Sequence, residues 1–157
     1  EFITCAAAYR SLLAGRPEAH NDMAKGSMLA GLAFSSTRTT ACHSISYPLT
    51  MHYGIPHGTA VSLLLAPVLS LNAPCTEGLE ELLAALGVQD AEGLEERIHS
   101  CLKRSGQAAS LKEWGVRREE LPRLAELGLT KGRADNNPAE LTPERIQKIL
   151  ETIYEER

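Results

Sequence analysis

The chain has 157 residues, 43% of them hydrophobic, with 16 basic and 20 acidic side chains that give a formal charge of −4. That length suits one domain with a core of its own, while the mild charge and the 4% aromatic content argue against a nucleic-acid surface. The longest apolar run, 60–69, is too short for a bilayer, which needs about 20 residues, and no secretory pattern opens the chain, so the expectation is a cytoplasmic protein without membrane contact.

Helical signals dominate from end to end. Phe2 to Ala14 is rich in Ala and Leu and stops at Gly15, with Pro17 beyond. Asp22 to about Ser35 predicts a second helix with Met23, Met28, Leu29, Leu32 and Ala33 on one side. Its Gly26, Ala30 and Gly31 leave room for close helix packing. No strand precedes these glycines as a dinucleotide loop would require. Residues 35–40 are polar and lead into a helix over Ala41 to Tyr53, which Pro48 should bend by removing the bond to Ser44. Gly54-Ile55-Pro56 breaks the chain. His57-Gly58 then begins an apolar helix, Thr59 to about Ser70, too evenly hydrophobic for a surface element, and Asn72, Ala73 and Pro74 end it.

Beyond Cys75 the pattern turns to amphipathic helices rich in Glu, Leu and Arg. Glu77 to Leu86 ends at Gly87, and Asp90 caps a helix through Lys103. Ser110 to Gly115 reads as a loop anchored by Trp114, and Arg118 to Leu127 ends at Gly128. Thr142-Pro143 opens the last helix with an N-cap and Pro at the first helical position. The fold class is therefore all-α, a helical bundle. Cys5, Cys42, Cys75 and Cys101 form no CxxC pair, which rules out zinc-ribbon and redox motifs and predicts reduced, mostly buried thiols.

Residues 43–57 hold three of the five histidines. His43 and Tyr47 are four apart and share a helix face. His57 follows the Pro-made turn, so its imidazole can fold back toward His43. Two imidazoles together suit a divalent transition metal, and Tyr47 beside them could pass a proton. Spacing alone favours the plainer alternative, that His43 and His57 are hydrogen-bonded core or cap residues. His52 lies off the face of His43 and should be partly exposed, while His20 and His99 are lone surface-type histidines. Catalytic metal sites normally take at least three protein ligands, so two histidines imply further donors from outside this sequence.

The segment Ala41-Cys42-His43-Ser44-Ile45-Ser46-Tyr47-Pro48-Leu49-Thr50, followed by Gly54-Ile55-Pro56-His57-Gly58, resembles the metal-ligand region of the iron-containing (group III) alcohol dehydrogenases. Met28 to Phe34 resembles the preceding helix of that family, and Asp135-Asn136-Asn137-Pro138 with Leu141-Thr142 and the closing Ile146 to Tyr154 helix resembles its C-terminal ending. The resemblance implies that residues 1–157 form a single α-helical metal-binding domain, the C-terminal half of a two-domain dehydrogenase in the dehydroquinate synthase-like superfamily. It makes His43 and His57 two of four ligands for Fe2+, Zn2+ or another divalent metal. The other two, an Asp and a His, would lie upstream of residue 1. It also implies that an N-terminal α/β domain, absent here, binds NAD(P), and that the substrate is a small alcohol or aldehyde. Tyr47 stands where many members carry a second His, and with a pKa of about 10 a phenol is a poorer relay at neutral pH. The Ser-Tyr-Pro-Leu-Thr wording resembles a subgroup that includes phosphonoacetaldehyde reductases. Two alternatives stay open: a dehydroquinate-synthase-like lyase, suggested by His57-Gly58-Thr59-Ala60-Val61, or a non-catalytic helical module that packs or forms homo-oligomers.

Overall fold

The computed structural model describes residues 19–35 and 37–155. Among these are seven α-helices: α1 (Ala19–Ser35), α2 (Ala41–Tyr53), α3 (His57–Asn72), α4 (Leu79–Leu86), α5 (Ala91–Arg104), α6 (Leu121–Leu127) and α7 (Pro143–Thr152). Short 3-10 turns lie at Ala73–Cys75, Arg118–Glu120 and Ala134–Asn136, and no strand occurs among the described residues. The all-α class is therefore observed. The helix predicted over Phe2 to Ala14 lies outside the described residues.

The chain divides into two compact units. One contains α1 and α4. Along α1, Met28 and Leu32 are exposed, Gly26 is buried, and Gly31 faces open space, so the room left at Gly31 is not filled by a neighbour. In α4, Leu83 is the buried position, and the helix starts at Leu79 because Gly78 takes a left-handed φ of 68° just before it.

The other unit holds the remaining helices. In α2, Ala41, Ile45 and Leu49 recur every fourth residue and are fully buried, forming one stripe. That stripe meets α3 and α6, while α3 also packs on α5 and α7, and α6 on α7. Because α3 has neighbours on several sides, Thr59, Ala60, Leu63, Leu64, Pro67 and Val68 are all buried, which explains its even apolarity. The helical stretch His57–Cys75 has 19 residues and a mean hydropathy of 1.4, enough by length and composition for a bilayer span. It is longer than the apolar run suggested, and its apolar side chains serve this packing. Leu121, Leu124, Ile146 and Leu150 complete the core. Each such Leu or Ile contributes roughly 1.5–3 kcal/mol by burial.

Helix ends follow local chemistry. Thr142 caps α7, its hydroxyl accepting from the Arg145 N–H at 3.3 Å. The stretch from Arg118 opens as a 3-10 turn, and α6 begins only at Leu121, with Pro122 in its first turn. Trp114 anchors its loop by donating from Nε1 to the Ala108 carbonyl at 3.2 Å. Backbone bonds from Leu111 to Ile153 and from Lys112 to Tyr154 tie that loop to the end of α7. The thiols correct one expectation: Cys42 is buried, but Cys75 is exposed and Cys101 half-buried. Cys75 closes the 3-10 turn after α3 and Cys101 lies on amphipathic α5, while Cys5 lies outside the described residues.

Candidate metal centre

The centre is built on the corner between α2 and α3. Gly54 ends α2 in the left-handed region, with φ 65° and its N–H donating to the Thr50 carbonyl at 3.1 Å. Ile55 is fully buried and Pro56 is the N-cap of α3. The reversal is short enough to start α3 at His57, as the Pro-made turn predicts. It brings the rings of His43 and His57 to 5.3 Å between centroids, at 59° to each other. Tyr47, one turn beyond His43, lies 5.9 Å from the His57 ring. The three predicted site residues therefore share one surface.

Two serines that the sequence reading passed over hold this corner. Ser46 is fully buried. Its hydroxyl donates to the His43 carbonyl at 3.0 Å and lies 3.4 Å from His57 Nδ1. Having given its one proton to the carbonyl, Ser46 Oγ can only accept from His57 Nδ1, and the tautomer that donates there directs Nε2 outward as the ligating nitrogen. Ser44, also fully buried, donates to the Gly128 carbonyl and accepts from the Thr130 N–H at 3.0 Å. That hydroxyl pins the loop after α6 to α2.

The pinned loop supplies Arg133. Its guanidinium carbon lies 4.5 Å from the Tyr47 ring centroid, within cation–π range. The Asp135-Asn136-Asn137 segment fixes the loop. Asp135 Oδ2 accepts from the Gly132 N–H at 2.9 Å, and Asn136 Nδ2 donates to the carbonyls of Gly132 at 2.7 Å and Thr39 at 3.3 Å. Asn137 and Asn72 exchange amide hydrogen bonds of 2.7 and 2.9 Å. Gly128 lets the loop lie against α2: an added Cβ would sit 3.3 Å from the Leu124 carbonyl and 3.4 Å from Ile45 Cα.

Electrostatics favour neutral imidazole at His43. Burial lowers its pKa, and the neighbouring His57 and Arg133 lower it further. Burial also pushes the Cys42 thiol up to about 12, so this cysteine is no thiolate nucleophile at neutral pH. His52 is exposed and borders a separate cleft of about 220 Å³ with Tyr53, Glu120 and Arg123. There Arg117 makes a two-pronged bond to Glu120, at 3.0 and 3.1 Å. That bond, with a second from Tyr53, holds Glu120 down at about 2. Burial, followed by the bond to Glu120, raises Tyr53 to about 12. His20 is exposed, and His99 is half-buried rather than a surface residue.

The donor set fits part of a metal shell. Two imidazoles converge, and among the described residues no cluster of three or more His, Cys, Asp or Glu completes a site. Residues 5–154 match the model of the Fe-containing alcohol dehydrogenase family, C-terminal. The chain belongs to this family. It is 31% identical to lactaldehyde reductase of Escherichia coli (strain K12) over 159 aligned positions, 95% of this chain and 41% of that protein. It is 30% identical to 1,3-propanediol dehydrogenase of Citrobacter freundii over 148, covering 87% of this chain and 38% of that one. Among solved structures, 1,3-propanediol oxidoreductase superposes with a TM-score of 0.84 at 26% identity, over 98% of this chain and 43% of that one. Sulfoacetaldehyde reductase from Bifidobacterium kashiwanohense, in complex with NAD+, gives 0.76 at 30% identity, over 89% and 37%. The chain thus spans about two fifths of the length of these relatives, and the part it matches is the helical C-terminal domain of the Fe-containing alcohol dehydrogenase family.

Proposed function

We propose that the intact protein is a metal-dependent, NAD(P)-linked alcohol dehydrogenase acting on small alcohols and aldehydes. The observation that carries this reading is the convergence of His43 and His57 on one corner. These two side chains would hold a divalent metal, Fe2+ by family, with the remaining ligands contributed by sequence outside this domain. Bound there, the metal supplies Lewis acidity toward the substrate oxygen.

The chain's own groups do the rest. Ser46 orients the His57 ring, and the neutral state favoured at His43 keeps its lone pair available. Tyr47 is 36% exposed, so its phenol reaches both the site and solvent and can give or take the hydroxyl proton. Bound NAD(P)H would supply the hydride for reduction of a carbonyl, with Tyr47 placed to give the proton to its oxygen. The NAD+ complex of the similar sulfoacetaldehyde reductase supports the choice of cofactor.

The test is replacement of His43 or His57 by Ala in the full-length enzyme, followed by metal analysis and turnover. Metal and activity should fall together, the latter on the order of 10³-fold, since Lewis-acid assistance contributes several kcal/mol. Full metal occupancy with normal turnover in either variant would overturn the assignment. The 157-residue chain alone should show no NAD(P)H-dependent turnover.

A further inference from the structure

Arg133 is half-buried, and its guanidinium lies over the Tyr47 ring. Among the described residues no carboxylate pairs with it. The nearby Asp135 carboxylate accepts from the Gly132 N–H instead. Resting on an aromatic ring occupies one face of a guanidinium and leaves its in-plane N–H donors open. Those donors form a fork that matches a planar or tetrahedral oxyanion better than any neutral group.

The arginine is also held in advance. Ser44, Asn136 and the Asn72–Asn137 pair fasten its loop to α2 and α3. A cation fixed beforehand loses less freedom on binding an anion than a mobile one. Through Tyr47 it flanks the histidine pair, since the Tyr47 ring is 4.5 Å from the guanidinium carbon and 5.9 Å from the His57 ring. An anion recognised by Arg133 would therefore sit close to a carbonyl placed at the histidines.

We infer that Arg133 selects short aldehydes or alcohols bearing a compact oxyanion group, a carboxylate, sulfonate or phosphonate. This rests on the dehydrogenase reading above. The shared chemistry is a compact anion with at least two acceptor oxygens, and the choice among the three groups is left to the assay.

The experiment compares kcat/KM for NAD(P)H-linked reduction of propanal, 3-oxopropanoate, sulfoacetaldehyde and phosphonoacetaldehyde by the full-length enzyme and by Arg133→Gln and Arg133→Lys. The wild type should favour at least one anionic aldehyde over propanal. Arg133→Gln should cut that ratio roughly 10- to 100-fold, the scale of hydrogen bonds to a charged group, and Arg133→Lys should restore part of it. In calorimetric titrations, ethanesulfonate, propionate or ethylphosphonate should bind the wild type more tightly than Arg133→Gln. Equal loss on neutral and anionic substrates would mean that Arg133 only braces Tyr47, which overturns the selectivity assignment. A wild type that prefers propanal does the same while leaving the dehydrogenase reading intact. Reduction of none of these aldehydes would defeat both.

Discussion

The corner at 41–58 and the loop at 128–137 meet at one surface but are built in different ways. The corner is local: one helix, a three-residue turn and the start of the next helix bring His43 and His57 together within 14 residues of sequence. The loop has no regular helix beyond a single 3-10 turn, and it reaches Tyr47 only because Ser44, Thr39 and Asn72 hold it across more than 60 residues of sequence. The corner presents the imidazole pair proposed to hold a metal, whereas the loop presents a fixed positive charge.

Breaking the corner should have the largest effect, through the loss of metal and turnover expected for His43→Ala and His57→Ala. Detaching the loop comes next. Ser44→Ala removes a hydroxyl that satisfies the Gly128 carbonyl and the Thr130 N–H in a buried setting, so unfolding in urea should show a loss of about 2 kcal/mol. Any anion preference should weaken with it. Asn137→Ala, which strips the buried Asn72 amide of its reciprocal partner, should cost about 1–2 kcal/mol in the same assay. If both variants leave stability unchanged, the loop is not held as described.

Two smaller effects lie away from this surface. Glu120 is held below its ordinary pKa by Arg117, so its stabilising contribution is present above about pH 4.5 and fades as pH falls toward about 2. Tyr53 is held above its own, so the neutral phenol stabilises below about pH 10, and that contribution is lost as pH rises toward about 12. Glu120→Gln should therefore flatten both arms of a stability–pH profile, and unchanged arms would contradict the coupling. Alkylation followed by mass spectrometry should modify exposed Cys75 well before buried Cys42.

Much of the fold was readable because its signals are local. The Ala41–Leu49 stripe, the Thr142-Pro143 cap and the Gly54 stop each act within a few residues. Tyr47 and the two histidines were visible for the same reason. Arg133 was not, because its meaning comes from a hydroxyl 89 residues away at Ser44 and from amides at 72 and 137. The one local trace was the polar Asp135-Asn136-Asn137 run, which the resemblance picked out without saying what it holds. Ser46 was hidden among apolar neighbours, where a small hydroxyl reads as filler. The start of α3 at His57 was readable from the Pro-made turn before it, whereas the late start of α6 was missed because proline chemistry, not apolar periodicity, sets that end.

The contact at Gly128 has a consequence for how such a protein can diverge. A methyl group at this position would press on Ile45 and on the Leu124 carbonyl, and a shift of a few tenths of an ångström would move the Arg133 loop more readily than the closely packed α2. Substrate preference could then drift through a position that carries no side chain, while the His43–His57 pair stays as it is. One surface would thus combine a part that tolerates little change with a part that is adjustable.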